Sequence, residues 1–340
     1  MTQLFDKWNW PTDDTNRITT IEMHTGGEPV RVFVSGLPQI EGTTVLEKRR
    51  YFSEHYDHIR KGTMWEPRGH ADMYGAVITP SLEADFDVFF LHNEGYSTMC
   101  GHAIIALTKL VIETGLVRKC DVSFNVPAGK IEARAEMKDD KVVRASFQNV
   151  PSFLYLREQM VNVAGLGLVP FDVAYGGAFY AFVNAEGLGI GLTAENLHSL
   201  VGYGRRIKHA VTAEFSIRHP FEDDLSFLYG TIFTGRAMES NNHSRNVCIF
   251  ADGEVDRSAT GSGVSARAAL HHAKGELALN ERIAIESIIG STMTVEVVES
   301  TKFGDYDAVV PEVSGTAFIT GKSEFYFDPD DPFREGFILR

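Results

Sequence analysis

The sequence predicts a mixed α/β fold of two similar lobes, each a mostly β unit wrapped around one buried helix. Three observations lead to this prediction. The chain has 340 residues, more than the roughly 250–300 at which a single core stops growing. Short alternating segments bounded by turn residues outnumber helical ones. Two helical segments with related starts lie in different halves of the chain.

The predicted strands share a period-two alternation of apolar and polar residues, broken by glycine or aspartate turns. The segment at 131–150 reads as a hairpin, because Asp139 and Asp140 interrupt its alternation. The predicted strand segments are 17–24, 28–36, 131–150, 173–187 and 291–300.

Helical periodicity is rarer and is clearest at residues 101–115 and 263–275. Weaker helical patterns cover residues 45–64 and 193–211. No low-complexity linker separates these elements, so a lobe boundary has to be found in another way.

An internal repeat supplies that boundary. The segments Cys100-Gly101-His102-Ala103 and Thr260-Gly261-Ser262-Gly263 each start a helix, and each helix meets a glycine at the same offset, Gly115 and Gly275. Glycine is common at the carboxyl end of a helix. The alternative is coincidence between two helices rich in small residues. We favour two related halves.

Composition limits the partners. The formal net charge is −14 and the pI is about 5.3, which argues against nucleic acid or an anionic membrane surface. No run of about 18 apolar residues predicts a membrane span. Residues 1–16 show neither a basic start nor an apolar run, so no signal peptide is predicted. The sequence does not determine the oligomeric state, and a homodimer is kept as one candidate.

Three cysteines, Cys100, Cys120 and Cys248, are too few and too widely spaced for a disulfide framework or a zinc site. They fit a reducing compartment and predict a cytoplasmic location. Cys120 and Cys248 lie in strand-like runs and are interpreted as small buried hydrophobic residues. Cys100 lies in the polar run YSTMCGH and is a candidate for chemistry.

The two helix starts predict an anion site. Unpaired N–H groups and the helix dipole favour negative charge there, and two starts facing each other suit one carboxylate. We expect the backbone N–H groups of Gly101, His102, Gly261 and Ser262 to bind it. A phosphate loop is the rival interpretation of TGSG, but no GxxxxGK[ST] pattern is present.

At its helix start Cys100 is expected to have a lowered thiol pKa, which provides a thiolate as nucleophile or general base. His102 is placed to support that thiolate or to contact substrate. Asp256 and Ser258 are interpreted either as caps of the turn before the second helix or, for Asp256, as an acceptor from a substrate ammonium group. His70-x-Asp72 is a weak metal pattern because it lacks a third ligand nearby; a structural turn or a hydrogen bond near the cleft is the default.

Four motifs in order, MHTGGEPVRV, EPRGHADMYGAV, MCGHA and DRSATGSG, resemble those of the proline racemase family, and the resemblance runs over about residues 18–335. It implies a diaminopimelate-epimerase-like fold with the active site in a cleft between two lobes. We expect the first lobe at 18–160 plus about 316–340 and the second at 161–315. The resemblance also implies no pyridoxal phosphate, no metal and no other cofactor.

The sequence departs from the family's racemases at one telling position. Their DRSPCGTG-type motif carries a second catalytic cysteine, where this chain has Thr260. Inversion at Cα needs an acid or base on both faces, and a threonine hydroxyl is a poor one. With Cys100 as the sole base, the pair resembles that of trans-3-hydroxy-L-proline dehydratases, which form Δ1-pyrroline-2-carboxylate. The predicted catalytic residues are thus Cys100, Thr260 and His102, and the predicted substrate is a small molecule.

Three other functions are kept as alternatives. One is a proline racemase or 4-hydroxyproline 2-epimerase that tolerates Thr260. Another is a non-catalytic protein that binds cyclic imino acids. The last is a cysteine hydrolase, which lacks an identifiable set of partners for an acyl-enzyme mechanism.

Overall fold

A computed structural model describes residues 17–339. The segment 1–16, on which the prediction of no signal peptide depends, lies outside the described residues. The α-helices are α1 (Val45–His55), α2 (Asp57–Met64), α3 (Gly101–Glu113), α4 (Leu197–Glu214) and α5 (Gly261–Lys274). The strands are β1 (Arg17–Thr25), β2 (Glu28–Ser35), β3 (Tyr74–Pro80), β4 (Phe86–His92), β5 (Tyr96–Ser97), β6 (Asp121–Val126), β7 (Gly129–Lys138), β8 (Lys141–Gln148), β9 (Ser152–Val163), β10 (Gly167–Tyr175), β11 (Phe179–Asn184), β12 (Leu228–Gly235), β13 (Ser244–Phe250), β14 (Glu254–Val255), β15 (Arg282–Glu286), β16 (Thr292–Phe303), β17 (Tyr306–Gly315) and β18 (Ala317–Tyr326).

The strand pairing repeats from one half of the chain to the other. In the first half β2 runs parallel to β3, β3 antiparallel to β4, and β4 parallel to β6. In the second half β11 runs parallel to β12, β12 antiparallel to β13, and β13 parallel to β15. Most of the other pairs are antiparallel hairpins. This shared topology confirms the predicted mixed α/β fold of two similar units.

One buried helix occupies the centre of each unit. Nearly every residue of α3 from Gly101 to Val111 is buried, as expected of a helix that is apolar on all sides. It packs against β1, β2, β7, β8 and β18, and we call this unit the α3 lobe. Helix α5 is buried in the same way from Gly261 to Leu270, where most of the side chains are small. Its neighbours are mainly β9, β10, β16 and β17, and they form the α5 lobe.

Most predicted elements are confirmed, and the differences are local. The hairpin turns at Asp139 and Asp140, which both adopt positive φ, as a tight hairpin turn requires. The weak pattern at 45–64 is two helices, because Tyr56 leaves helical geometry with φ −130° and ψ 18°. The alternation at 173–187 is broken by a glycine turn between β10 and β11, where Gly177 has φ 92°.

The predicted lobe boundaries at residues 160 and 316 stay a prediction. Strand β9 continues without a break from Ser152 to Val163, and it pairs with both β10 and β17. Strand β18 returns to pair with β1, so the carboxyl-terminal strand lies beside the first strand. None of the helices described between residues 17 and 339 is both long and apolar enough to cross a bilayer.

Candidate active site between two helix starts

The amino ends of α3 and α5 meet at two glycines. A Cβ atom on Gly101 would lie 2.7 Å from Cα of Gly261, and one on Gly261 would lie 2.7 Å from Cα of Gly101. No side chain fits at such a distance, so glycine at both positions permits the contact. The first-turn N–H groups of both helices, which have no partner inside their own helix, therefore lie close together.

A small cavity lies at this junction. Its wall contains every residue of the predicted site: Cys100, Gly101, His102, Asp256, Thr260, Gly261 and Ser262. The remaining wall residues are Glu28, Met99, Cys248, Phe250 and the tyrosines Tyr74, Tyr180 and Tyr229. A larger depression of about 1410 Å³ lies near Arg17 and Phe327 and contains none of the predicted residues, so volume alone does not identify the site.

The cavity is closed to solvent. Cys100 and His102 are each 4% exposed, and Asp256 and Thr260 are each 5% exposed. The side chains that border it are therefore almost entirely shielded from bulk water. Contacts between the lobes close it, among them the hydrogen bond from the Arg257 N–H to Glu28 Oε2 at 2.6 Å.

Cys100 lies at the start of α3 with its sulfur directed to polar groups. Its Sγ accepts the N–H of Ala103 at 3.4 Å and lies 3.1 Å from Nδ1 of His102. The His102 ring packs edge-on to Tyr74, with centroids 4.8 Å apart, and its Nε2 lies 3.3 Å from the carbonyl oxygen of Pro29. The thiol and the imidazole therefore form one fixed pair.

The prediction of a lowered thiol pKa for Cys100 is wrong, because the thiol is buried. Burial raises the pKa of the thiol well above its usual value, and the negative charge of Asp256 raises it further. The N–H of Ala103 acts in the opposite direction but does not compensate. Loss of hydration destabilises a thiolate more than one helix end stabilises it. Burial likewise lowers the pKa of His102, although Asp256 opposes the shift.

Side chains of the DRSATGSG motif build the loop that leads into α5. The N–H of Ser258 donates to Asp256 Oδ1 at 2.7 Å, and the N–H of Thr260 donates to Ser258 Oγ at 3.1 Å. Both therefore cap the turn, as one interpretation predicted, and Asp256 also borders the cavity. Thr260 adopts φ 68° and ψ 91°, a region that costs a β-branched residue about 1–3 kcal/mol.

Three polar atoms of the wall have no hydrogen-bond partner among the described residues: Oε1 of Glu28, the hydroxyl of Tyr229 and Oγ1 of Thr260. An unpaired buried polar atom is costly and uncommon. All three border one cavity, so this arrangement suits a small polar ligand. The Tyr180 hydroxyl, in contrast, is paired with Ser262 Oγ at 2.7 Å.

Several wall residues were not singled out from the sequence. Glu28 lies within the motif MHTGGEPVRV, and the signal for it is a carboxylate directly after two glycines, at the start of a strand. Cys248 is fully buried, as predicted, but it also borders the cavity. The same prediction is wrong for Cys120, which is exposed just before β6. No alternation covers Cys120, since the strand begins at the next residue.

Asp72 makes hydrogen bonds near the cleft, whereas the side chain of His70 is exposed and contacts the neighbouring carbonyl of Ala71. Asp72 accepts the N–H of Val255 at 3.2 Å and forms an ion pair with Arg257 at 2.9 Å. Between residues 17 and 339, no group of three histidine, cysteine, aspartate or glutamate side chains could hold a metal ion.

Comparison with known proteins identifies the family to which this chain belongs. A family model described as proline racemase matches residues 20–338. The chain is similar to a trans-3-hydroxy-L-proline dehydratase from Colwellia psychrerythraea, with 49% identity over 99% of this chain and 97% of that protein. A human protein of the same name is 46% identical over 95% of each chain. A hydroxyproline epimerase from Agrobacterium vitis, solved with bound trans-4-hydroxy-L-proline, has a TM-score of 0.89 at 27% identity and covers 95% of both chains.

Proposed function

We propose that this chain, which belongs to the proline racemase family, removes water from trans-3-hydroxy-L-proline to give Δ1-pyrroline-2-carboxylate. The observation that carries the proposal is the pair at the two helix starts, a thiol at Cys100 and a threonine at Thr260. The relatives named as dehydratases match nearly the whole chain. The enzyme is therefore a hydro-lyase of a family that also contains racemases and epimerases.

The substrate carboxylate binds at the junction of α3 and α5. The carboxylate oxygens accept hydrogen bonds from the first-turn N–H groups, where both helix dipoles favour negative charge. These N–H groups belong to Gly101, His102, Gly261 and Ser262. Asp256, at the edge of the same cavity, accepts from the substrate ammonium group. Fixed at both ends, the ring presents one face to the α3 lobe and the other to Thr260.

Cys100 removes Hα as the general base. In trans-3-hydroxy-L-proline the hydroxyl lies opposite the carboxylate and hence on the same face as Hα, so the elimination is formally syn. The raised pKa of the buried Cys100 thiol makes its thiolate a stronger base once formed, which suits a weakly acidic C–H bond. His102, 3.1 Å from the sulfur, orients the thiol and exchanges a proton with it.

Thr260 explains why the reaction ends in dehydration. Its hydroxyl stays protonated near neutral pH and is a poor acid, so it does not deliver a proton to the second face of Cα. The carbanion-like intermediate then loses the 3-hydroxyl, and the enamine that forms tautomerises to the cyclic imine. We assign Thr260 to hydrogen bonding and to filling space on that face.

An epimerase is the second candidate, and one observation favours it. The Cys248 thiol borders the cavity and lies near the Thr260 hydroxyl, although the two do not have hydrogen-bond geometry. Burial raises the pKa of Cys248 well above its usual value, so this thiol retains its proton and is a weak acid. We therefore rank dehydration first.

One assay separates these candidates. The purified full chain is incubated in turn with trans-3-hydroxy-L-proline, trans-4-hydroxy-L-proline and L-proline. Dehydration predicts a borohydride-reducible imine from the first substrate and unchanged optical rotation with the other two. Inversion of L-proline or the 4-hydroxy isomer without imine would support the epimerase, and binding without either reaction would support a non-catalytic protein. The cytoplasmic location and the homodimer stay predictions, to be tested by fractionation and sedimentation.

A further inference from the structure

Glu28 is a buried carboxyl group that the proposed mechanism does not yet use. It begins β2 in the α3 lobe, is fully buried, and borders the cavity. Its Oε2 accepts the N–H of Arg257 at 2.6 Å, which fixes the carboxyl group at the lobe junction. Its Oε1 has no hydrogen-bond partner among the described residues. One oxygen therefore holds the group in place and the other is left for a ligand.

The surroundings favour the protonated form of Glu28. Burial raises its pKa well above the usual value, and the charge of Asp256 raises it further. The N–H and the side chain of Arg257 act in the opposite direction, while Asp72 adds to the increase. Where two carboxyl groups share a low-dielectric site, one of them retains its proton. Of the two carboxyl groups, Glu28 is the one whose surroundings favour retention of the proton.

We propose that Glu28 is the general acid that protonates the departing 3-hydroxyl group, an inference that rests on the proposed dehydration. Hydroxide is a poor leaving group, and protonation converts it to water. Glu28 comes from the same lobe as Cys100, and both side chains border the cavity. A donor on that side is what the syn elimination needs.

The step balances without an oxidant or a cofactor. The Cys100 thiolate forms an S–H bond with Hα, and the Cα–H electron pair becomes the new C2–C3 double bond. The C3–O bond breaks with its electron pair on oxygen, which takes the Glu28 proton and leaves as water. Glu28 is then a carboxylate and Cys100 a thiol, and passage of one proton from the thiol to Glu28 through water restores both.

The test compares two leaving groups in Glu28→Gln. The glutamine oxygen still accepts from Arg257, but the side chain has no acidic proton. With trans-3-hydroxy-L-proline we expect kcat to fall about 10²–10⁴-fold, the usual range for loss of an acid. The analogue with fluorine in place of the hydroxyl loses fluoride, which leaves with little help from an acid, so its rate should fall less than about tenfold. In D₂O, recovered hydroxy substrate should carry deuterium at Cα, because proton removal continues without elimination.

Glu254→Gln is the matched control. Glu254 is also fully buried, but it pairs with His92 at 3.1 Å and is not part of the cavity wall. This variant should affect both substrates by the same factor. If Glu28→Gln does not fold, Glu28→Asp retains an acid at a shorter reach, and its loss should again be confined to the hydroxy substrate.

The outcomes separate the two proposals. Equal loss with both leaving groups in Glu28→Gln and Glu28→Asp, or full retention with the hydroxy substrate in Glu28→Gln, overturns the role of Glu28 alone. Failure of the unaltered protein to form an imine from either substrate overturns the proposed function.

Discussion

The starts of α3 and α5 occupy equivalent places in the repeat but differ in chemistry and in backbone. Cys100 has extended geometry, with φ −142° and ψ 101°, and its sulfur accepts an N–H of its own helix. Thr260 has positive φ and no such side-chain bond. In the proposed mechanism both helices present N–H groups to the substrate carboxylate, while only the α3 start carries a base. Under that proposal the repeat provides the binding site, and the residue at each start determines which reaction follows.

Removal of the thiol should have the largest effect on this asymmetric pair. In Cys100→Ala we expect turnover of trans-3-hydroxy-L-proline to fall by about 10²–10⁴-fold or more, because the proposed mechanism assigns removal of Hα to this thiol alone. Imine formation measures the loss. Cys120→Ala is the control, since that thiol is free and exposed, and it should retain normal activity. Turnover by Cys100→Ala at the normal rate would remove Cys100 from its assigned role.

Forcing the two helix starts apart tests the shared anion site. In Gly261→Ala the new Cβ would lie 2.7 Å from Gly101 Cα, so we expect the unfolding free energy to drop by about 1–3 kcal/mol and KM to rise. Gly202→Ala is the matched control, because Gly202 lies inside α4 with no neighbouring atom within 4 Å of the added group. It should leave activity unchanged and stabilise the helix by up to about 1 kcal/mol. Denaturant titration and kinetics measure both variants, and normal behaviour of Gly261→Ala would contradict the close contact.

The pH dependence tests the burial of the α3 start. Because the folded-state pKa of the Cys100 thiol is raised, its contribution to stability is fully present below the ordinary thiol pKa of about 8.5 and is lost as pH rises above it. The unaltered chain should therefore lose unfolding free energy relative to Cys100→Ala, by up to about 1.4 kcal/mol per pH unit. The groups facing this thiol are His102, Tyr74, Asp256 and Glu28. The opposite slope would mean that the helix end outweighs burial.

A second thiol at the α5 start should give the smallest effect, which is a gain of activity. Thr260→Cys places a second thiol opposite Cys100, and we expect slow inversion of L-proline, measured by chiral chromatography. Thr260→Ser is the control. Like cysteine, serine lacks the β-branch that is strained at this positive φ, but it adds no thiol. Absence of inversion in Thr260→Cys, with dehydration intact, would mean that the missing second thiol does not by itself explain the reaction.

Local patterns were sufficient for much of the fold. Three features were predicted correctly: the helix over residues 101–115, the hairpin at Asp139 and Asp140, and the repeat of helix starts. Periodicity and turn preference depend on neighbours in the chain, so a local pattern is sufficient for them. Two breaks between elements were not predicted. Tyr56 divides α1 from α2 without a glycine or proline to mark it, and the turn after Tyr175 interrupts an apparently continuous strand.

The order of residues, through its resemblance to the proline racemase family, was enough to predict the chemistry. The prediction depended on one thiol and one threonine at matching positions, each at the start of a helix with small residues. Their environment depended on segments distant in the chain. Glu28 meets Asp256 across the lobe junction, Cys248 joins the cavity wall, and Cys100 loses its water. Desolvation and charge proximity are properties of what surrounds a group in space, so the direction of the Cys100 pKa followed from packing and not from the position of Cys100 at a helix start.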